Sequence, residues 1–169
     1  MKHTNGLFIF HRDFRIFDNK GLIEASKKCK NLHTCFIFTL DQVTSKNKYK
    51  SENSIQFMIE SLKELEKTIN ENNGKLHIFY GEQISILNKL IKDLDLQGIY
   101  FNRDYTPYAK NREEKTKILC QKNNIDCESF LDYYLYEPGE IGTSTGGYYK
   151  KFTPFYNDVL NKKVMPISK

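Results

Sequence analysis

Short apolar runs alternate along this chain with stretches whose apolar residues recur at helical spacing, and that alternation restricts the fold more than any other feature. Leu7-Phe8-Ile9-Phe10, Thr34-Cys35-Phe36-Ile37-Phe38, Leu76-His77-Ile78-Phe79-Tyr80 and Ile99-Tyr100-Phe101 have the length of strands covered on both faces. A weaker fifth run lies within 125–131. Between them, Asp18 or Asn19 is placed to cap a helix over 20–30, and Ser51 opens a helix with Ile55, Met58, Ile59, Leu62, Leu65 and Ile69 on one face, stopped by Gly74. Ile84, Leu87, Ile91 and Leu94 mark another helix, and Pro107 begins one over 107–122. The segment 41–50 reads as a polar loop. Strand and helix in alternation predict an α/β fold: a five-stranded, doubly wound, Rossmann-like parallel sheet in three α/β/α layers.

With 169 residues the chain is one domain long, and with 39% hydrophobic residues it has the material for a core. Mean hydropathy is −0.62 and no run is long enough to cross a bilayer or act as a signal peptide, so the expectation is a soluble, intracellular protein with no membrane partner. The net charge of +5 rests almost wholly on lysine; the arginines are Arg12, Arg15, Arg103 and Arg112. Diffuse lysine attracts polyanions weakly and reads no bases. Cys29, Cys35, Cys120 and Cys127 have no C-x-x-C spacing and are expected to be buried thiols, and the four histidines have no metal-like spacing.

Ligands of such sheets sit beyond the carboxyl ends of the strands, where strand order reverses. Two segments there stand out. His11-Arg12-Asp13-Phe14-Arg15-Ile16-Phe17-Asp18-Asn19 alternates charge after the first strand. Its arginines and aspartates either satisfy one another as an ion-pair network or leave Arg12 or Arg15 as a fork for an anionic ligand. Asn102-Arg103-Asp104 follows the fourth strand, with Asp104 either accepting from a ligand or occupied by the next helix or by Arg103. No G-x-G-x-x-G follows the first strand and no phosphate loop occurs. Gly142-Thr143-Ser144-Thr145-Gly146-Gly147 lacks the context of one and reads as a connection. No catalytic constellation emerges. Beyond residue 131 the pattern breaks into an aromatic tail holding Tyr133, Tyr134, Tyr136, Tyr148, Tyr149, Phe152, Phe155 and Tyr156. Such a tail either folds back on the domain or docks on a second domain or chain.

Several blocks carry a resemblance. Residues 7–19 resemble the "W-F-R-R-D-L-R-x-x-D-N" opening of the DNA photolyase and cryptochrome family. Phe36-Ile37-Phe38-Thr39, the helix 57–65, Tyr100-Phe101-Asn102-Arg103-Asp104-Tyr105-Thr106-Pro107-Tyr108 ("N-x-D-x-x-P-Y") and Tyr148-Tyr149-Lys150-Lys151-Phe152-Thr153-Pro154-Phe155 ("Y-x-V-F-T-P-F") match in order. The resemblance implies an N-terminal α/β domain over 1–131 and a linker over 132–169 leading to a FAD-binding helical domain that lies outside this chain. The expectation is therefore a truncated or split photolyase. It would support light-dependent repair of pyrimidine dimers by holding an antenna chromophore and docking a FAD-binding partner domain or chain, through which damaged DNA is met indirectly. By itself the chain has no catalytic residue, although the family includes the deoxyribodipyrimidine photolyase lyases. The family likeness also implies where the chromophore would sit. Asp104 stands where some members contact a deazaflavin, and Arg12, Phe36, Phe38, Thr39, Lys48 and Ser54 complete the implied cofactor-binding set. Thr39-Leu40 replaces the family's Asp-Pro, His11 replaces the first arginine of its R-R-D, and Ala109 stands where folate binders carry glutamate, which favours a deazaflavin or flavin over folate. The alternatives are a flavin- or nucleotide-binding electron-transfer module, and a chromophore-free remnant or cryptochrome-like interaction domain.

Overall fold

The computed structural model describes residues 1–167. Strands β1 (His3–Phe10), β2 (Cys29–Thr39), β3 (Leu76–Gly81), β4 (Gly98–Asn102) and β5 (Asp126–Phe130) form one sheet in the order β3-β2-β1-β4-β5, every pair parallel. The helices are α1 (Lys20–Lys28), α2 (Leu40–Val43), α3 (Glu52–Glu71), α4 (Gln83–Asp93), α5 (Pro107–Lys122) and α6 (Phe152–Leu160). The predicted doubly wound α/β/α architecture is the observed one.

Strand alternation divides the core. Phe8, Phe10, Phe36 and Tyr100 face α1 and α3, where they meet Ala25, Leu62, Leu65 and Ile69. Leu7, Ile9, Cys35, Ile37, Ile99 and Phe101 face α4 and α5, where they meet Leu87, Ile91, Leu119 and Cys120. Each such side chain, fully buried, contributes roughly 1.5–3 kcal/mol. Chain reversals between the layers use few glycines. Asn73, Asp95 and Asn124 hold the left-handed conformation after α3, α4 and α5 (φ 59°, 49° and 54°). Gly74, expected to stop α3, instead follows Asn73 and supplies room: a Cβ on it would lie 2.8 Å from Ile69 Cγ2.

Three local expectations need correction. The first helix ends at Lys28 rather than near 30, because Cys29 pairs with His3 and opens an eleven-residue strand. The segment 41–50 is not wholly loop: Leu40–Val43 makes one helical turn, with Gln42 Oε1 accepting from the Thr39 amide (3.3 Å) and hydroxyl (3.1 Å). The aromatic tail holds α6. Cys29, Cys35 and Cys120 are buried, Cys127 is half-buried, and all four are free thiols. Among the described residues no helix is long and apolar enough to cross a membrane.

The tail does fold back in part. Arg15 pairs with Asp132 (2.8 Å), Arg103 with Glu137 (2.7 Å), and Tyr136 donates to the Lys162 carbonyl (3.2 Å). Helix α6 nevertheless buries none of its residues.

Candidate functional site

Strand order reverses between β1 and β4, so the segments after these two strands meet at the carboxyl edge. A buried polar knot closes that edge. Asn102 Nδ2 donates to Asp13 Oδ2 (2.5 Å) and Asn19 Oδ1 (2.8 Å), while its Oδ1 accepts from the Gly21 amide (2.9 Å). Asp13 Oδ1 accepts from the His11 amide (2.8 Å), and Asn19 Oδ1 caps α1 through the Leu22 amide (3.1 Å). Burial raises the Asp13 pKa, with the hydrogen bonds from His11 and Asn102 holding it partly down. The charged run after β1 therefore does not neutralise itself. Asp13 is taken up by amides, Arg15 by Asp132 across the chain, and Arg12 by Asp104, at 3.6 Å. Asp104 pairs with neither Arg103 nor the helix end. Its Oδ1 accepts from the amides of Tyr105 (2.6 Å) and Thr106 (3.4 Å), and Thr106 itself caps α5.

Above the knot the Arg12 guanidinium sits 5.2 Å from the centre of the Tyr133 ring, and the hydroxyl of Tyr133 is buried without a hydrogen-bond partner. The imidazole of His11 lies 5.6 Å from the Phe101 ring, with neither nitrogen in a well-formed hydrogen bond. Burial and the Arg112 cation push its pKa well below the usual histidine value, so it is neutral at neutral pH.

Beside this edge, on the face covered by α4 and α5, a cavity of about 200 Å³ opens at the ends of β2 and β3. Thr39 and Leu40 form one wall, Gly81 and Glu82 the floor, and Tyr108, Arg112 and Lys115 the α5 wall. Gly81 makes the turn from β3 into α4 at φ 141°, a conformation side chains resist. Glu82 then caps α4, accepting from the amides of Ile84 (3.1 Å) and Ser85 (2.6 Å); these bonds outweigh burial and lower its pKa. Gln83 donates to Thr116 (3.1 Å) and ties α4 to α5. The Tyr108 hydroxyl meets Thr39 Oγ1 (2.8 Å), and its ring lies 5.6 Å from the Arg112 guanidinium carbon. The site offers an aromatic face, hydroxyls and cations. Among the described residues no group of His, Cys, Asp and Glu is placed to hold a metal ion.

Of the residues singled out from sequence, Thr39 lines the cavity, and Arg12 and Asp104 meet each other at its neighbouring edge. The other four lie elsewhere. Phe36 and Phe38 have the opposite strand parity from Thr39 and so face α1 and α3; Phe36 is 1% exposed and Phe38 packs edge-on against it at 4.9 Å. Lys48 is exposed on the loop, and Ser54 is exposed in the first turn of α3, its hydroxyl donating to the Ser51 carbonyl. Sequence reasoning missed Tyr108, Arg112 and Lys115. Their spacing of four and three residues sets them on one face of α5, a stripe visible once the helix is placed.

The model of the family described as DNA photolyase matches residues 7–168. The Cryptochrome-1 of Aedes aegypti is 25% identical over 98% of this chain and 32% of its own length. A deoxyribodipyrimidine photo-lyase of Alkalihalophilus pseudofirmus is 29% identical over 87% of this chain and 31% of its own. The archaeal photolyase from Sulfolobus tokodaii, solved with two FAD molecules, superposes with a TM-score of 0.85 at 34% identity, covering 96% of this chain and 36% of that one. The chain thus spans about a third of the length of the relatives it matches.

Proposed function

The chain belongs to the DNA photolyase family, and we propose that it is a light-harvesting N-terminal domain whose chromophore, a flavin or deazaflavin, is held in the cavity between α4 and α5. Residues 1–131 are the chromophore domain in this reading and 132–169 the linker. The chain serves light-dependent repair of pyrimidine dimers by passing excitation to a FAD-binding helical domain, in the same protein or on a separate chain, and it contacts damaged DNA only through that partner. The observation that carries the reading is the cavity itself. It lies at the carboxyl ends of parallel strands, where doubly wound sheets bind ligands, and presents the Tyr108 ring beside hydroxyls and cations. Its volume of about 200 Å³ falls below the ~300–1,000 Å³ of sites that enclose a whole ligand. One end of the chromophore is therefore seated here and the remainder lies under the partner domain. The Sulfolobus tokodaii photolyase, described with two FAD molecules and a novel light-harvesting cofactor, supports a flavin in this role. Ala109, with no side-chain acceptor, supports the exclusion of folate.

Titration of the chain with FMN, FAD, a deazaflavin and a reduced folate, followed by absorption and fluorescence, tests this. Near-ultraviolet or blue bands that persist through gel filtration for a flavin or deazaflavin are expected. A chain that stays colourless with all four is a chromophore-free interaction module.

A further inference from the structure

The Arg112 guanidinium is largely buried, and among the described residues it makes no ion pair and no side-chain hydrogen bond; its Nε is fully enclosed without a partner. Its neighbour is the Tyr108 ring, which offers a face but no counter-charge. Asp104 and Asp13 act on it only at a distance, Asp104 being turned to Arg12 and Asp13 to amides. An arginine stays protonated even when burial lowers its pKa, so this is a cation without a matched anion, and such a group is costly unless something supplies one. Arg112 reaches from the buried edge, where His11 and Tyr133 also leave polar atoms unpaired, to the wall of the cavity. Lys46 and Lys115 stand on the same wall and rim, likewise outside any ion pair among the described residues. Two carboxylates share the cavity. Glu82 spends its oxygens on the α4 amides, and Asp41 is exposed on α2. The apolar side, Leu40, Ile84 and the Tyr108 ring, lies apart from these charges by residue type.

We propose that Arg112, with Lys46 and Lys115 at the rim, anchors a phosphate, so that the ligand of this cavity is a phosphorylated flavin rather than the bare ring system. This rests on the flavin reading above and adds to it the group that confers selectivity. A guanidinium binds a phosphate through paired N–H donors, and its enclosed position strengthens each bond.

The experiment compares riboflavin, FMN and FAD by fluorescence titration on the full chain and on Arg112→Gln, with Lys115→Gln as a rim variant. FMN or FAD is expected to bind more than roughly tenfold tighter than riboflavin, and Arg112→Gln to bring that ratio towards one while riboflavin affinity holds. Retained riboflavin binding shows that the variant is folded. Equal affinities for riboflavin and FMN in the native chain overturn the anchor and leave the flavin reading standing. If no flavin binds, the flavin reading fails, and pyrophosphate alone then decides the anchor. A rise in Tm that Arg112→Gln abolishes supports it, and no rise overturns it.

Discussion

Asp13 shows how a single side chain governs this edge. It is 2% exposed, and its two oxygens receive the His11 amide and the Asn102 amide nitrogen. An asparagine there keeps one acceptor and sets an N–H against a donor, so Asp13→Asn should cost about 2 kcal/mol in denaturant unfolding. The pH dependence has a definite sign. Burial, the largest cause, raises the native pKa above the unfolded value of about 3.9. The native state therefore holds the proton more tightly, and the stability this contributes is complete below the unfolded pKa and lost as pH rises through the native one. The gap in stability between the native chain and Asp13→Asn should be widest near pH 4 and narrow towards neutrality; a gap that widens with pH contradicts the assignment. The sequence made this polar run visible at the right place and offered Asn19 as a cap, which it is. It could not show which charges meet. Arg15 finds Asp132 and Asp13 finds Asn102, across 117 and 89 residues, and separations of that size are set by sheet order, not by local pattern.

The elements themselves were legible because their signals are local. Helix α5 runs from the expected proline to Lys122, and Ser51 caps α3 by accepting from the Ser54 amide (3.0 Å). What local patterning misjudged were places where a neighbour decides, such as the start of β2, drawn out to Cys29 by pairing with β1. The helix ends give a test. Asn124 follows α5 at φ 54°, in a conformation that asparagine tolerates and alanine resists. Asn124→Ala should lower stability by about 1 kcal/mol and Asn124→Gly should leave it within a few tenths. Equal losses for both would show that the asparagine side chain, not its backbone, matters. Close approach gives a second test. Tyr100 is fully buried and its ring lies across Gly98, where an added Cβ would come within 2.7 Å of its hydroxyl oxygen. Gly98→Ala should therefore cost about 1–3 kcal/mol by overpacking, read from thermal or denaturant unfolding.

At the scale of the molecule, the tail is where sequence reading was least complete. Its aromatics were plain, but α6 was not, because a nine-residue helix with no buried face has no core periodicity to betray it. Phe152 is 72% exposed, Leu160 61% and Tyr156 47%, a larger apolar surface than a finished domain leaves open. Because these side chains bury nothing within the chain, Phe152→Ser with Leu160→Ser should leave stability within about 0.5 kcal/mol while reducing binding of an apolar dye. The same surface lies in the stretch we propose as linker to the FAD-binding domain, and so bears on light transfer. A chromophore seated in the α4–α5 cavity has no acceptor in the isolated chain, so its excitation returns as fluorescence. Adding a FAD-loaded helical domain should quench that emission and shorten its lifetime, and the α6 double variant should demand more partner for the same quenching. Emission unchanged at saturating partner, with binding shown independently, would mean that the two domains associate without passing energy, and that the chain's part in repair is structural.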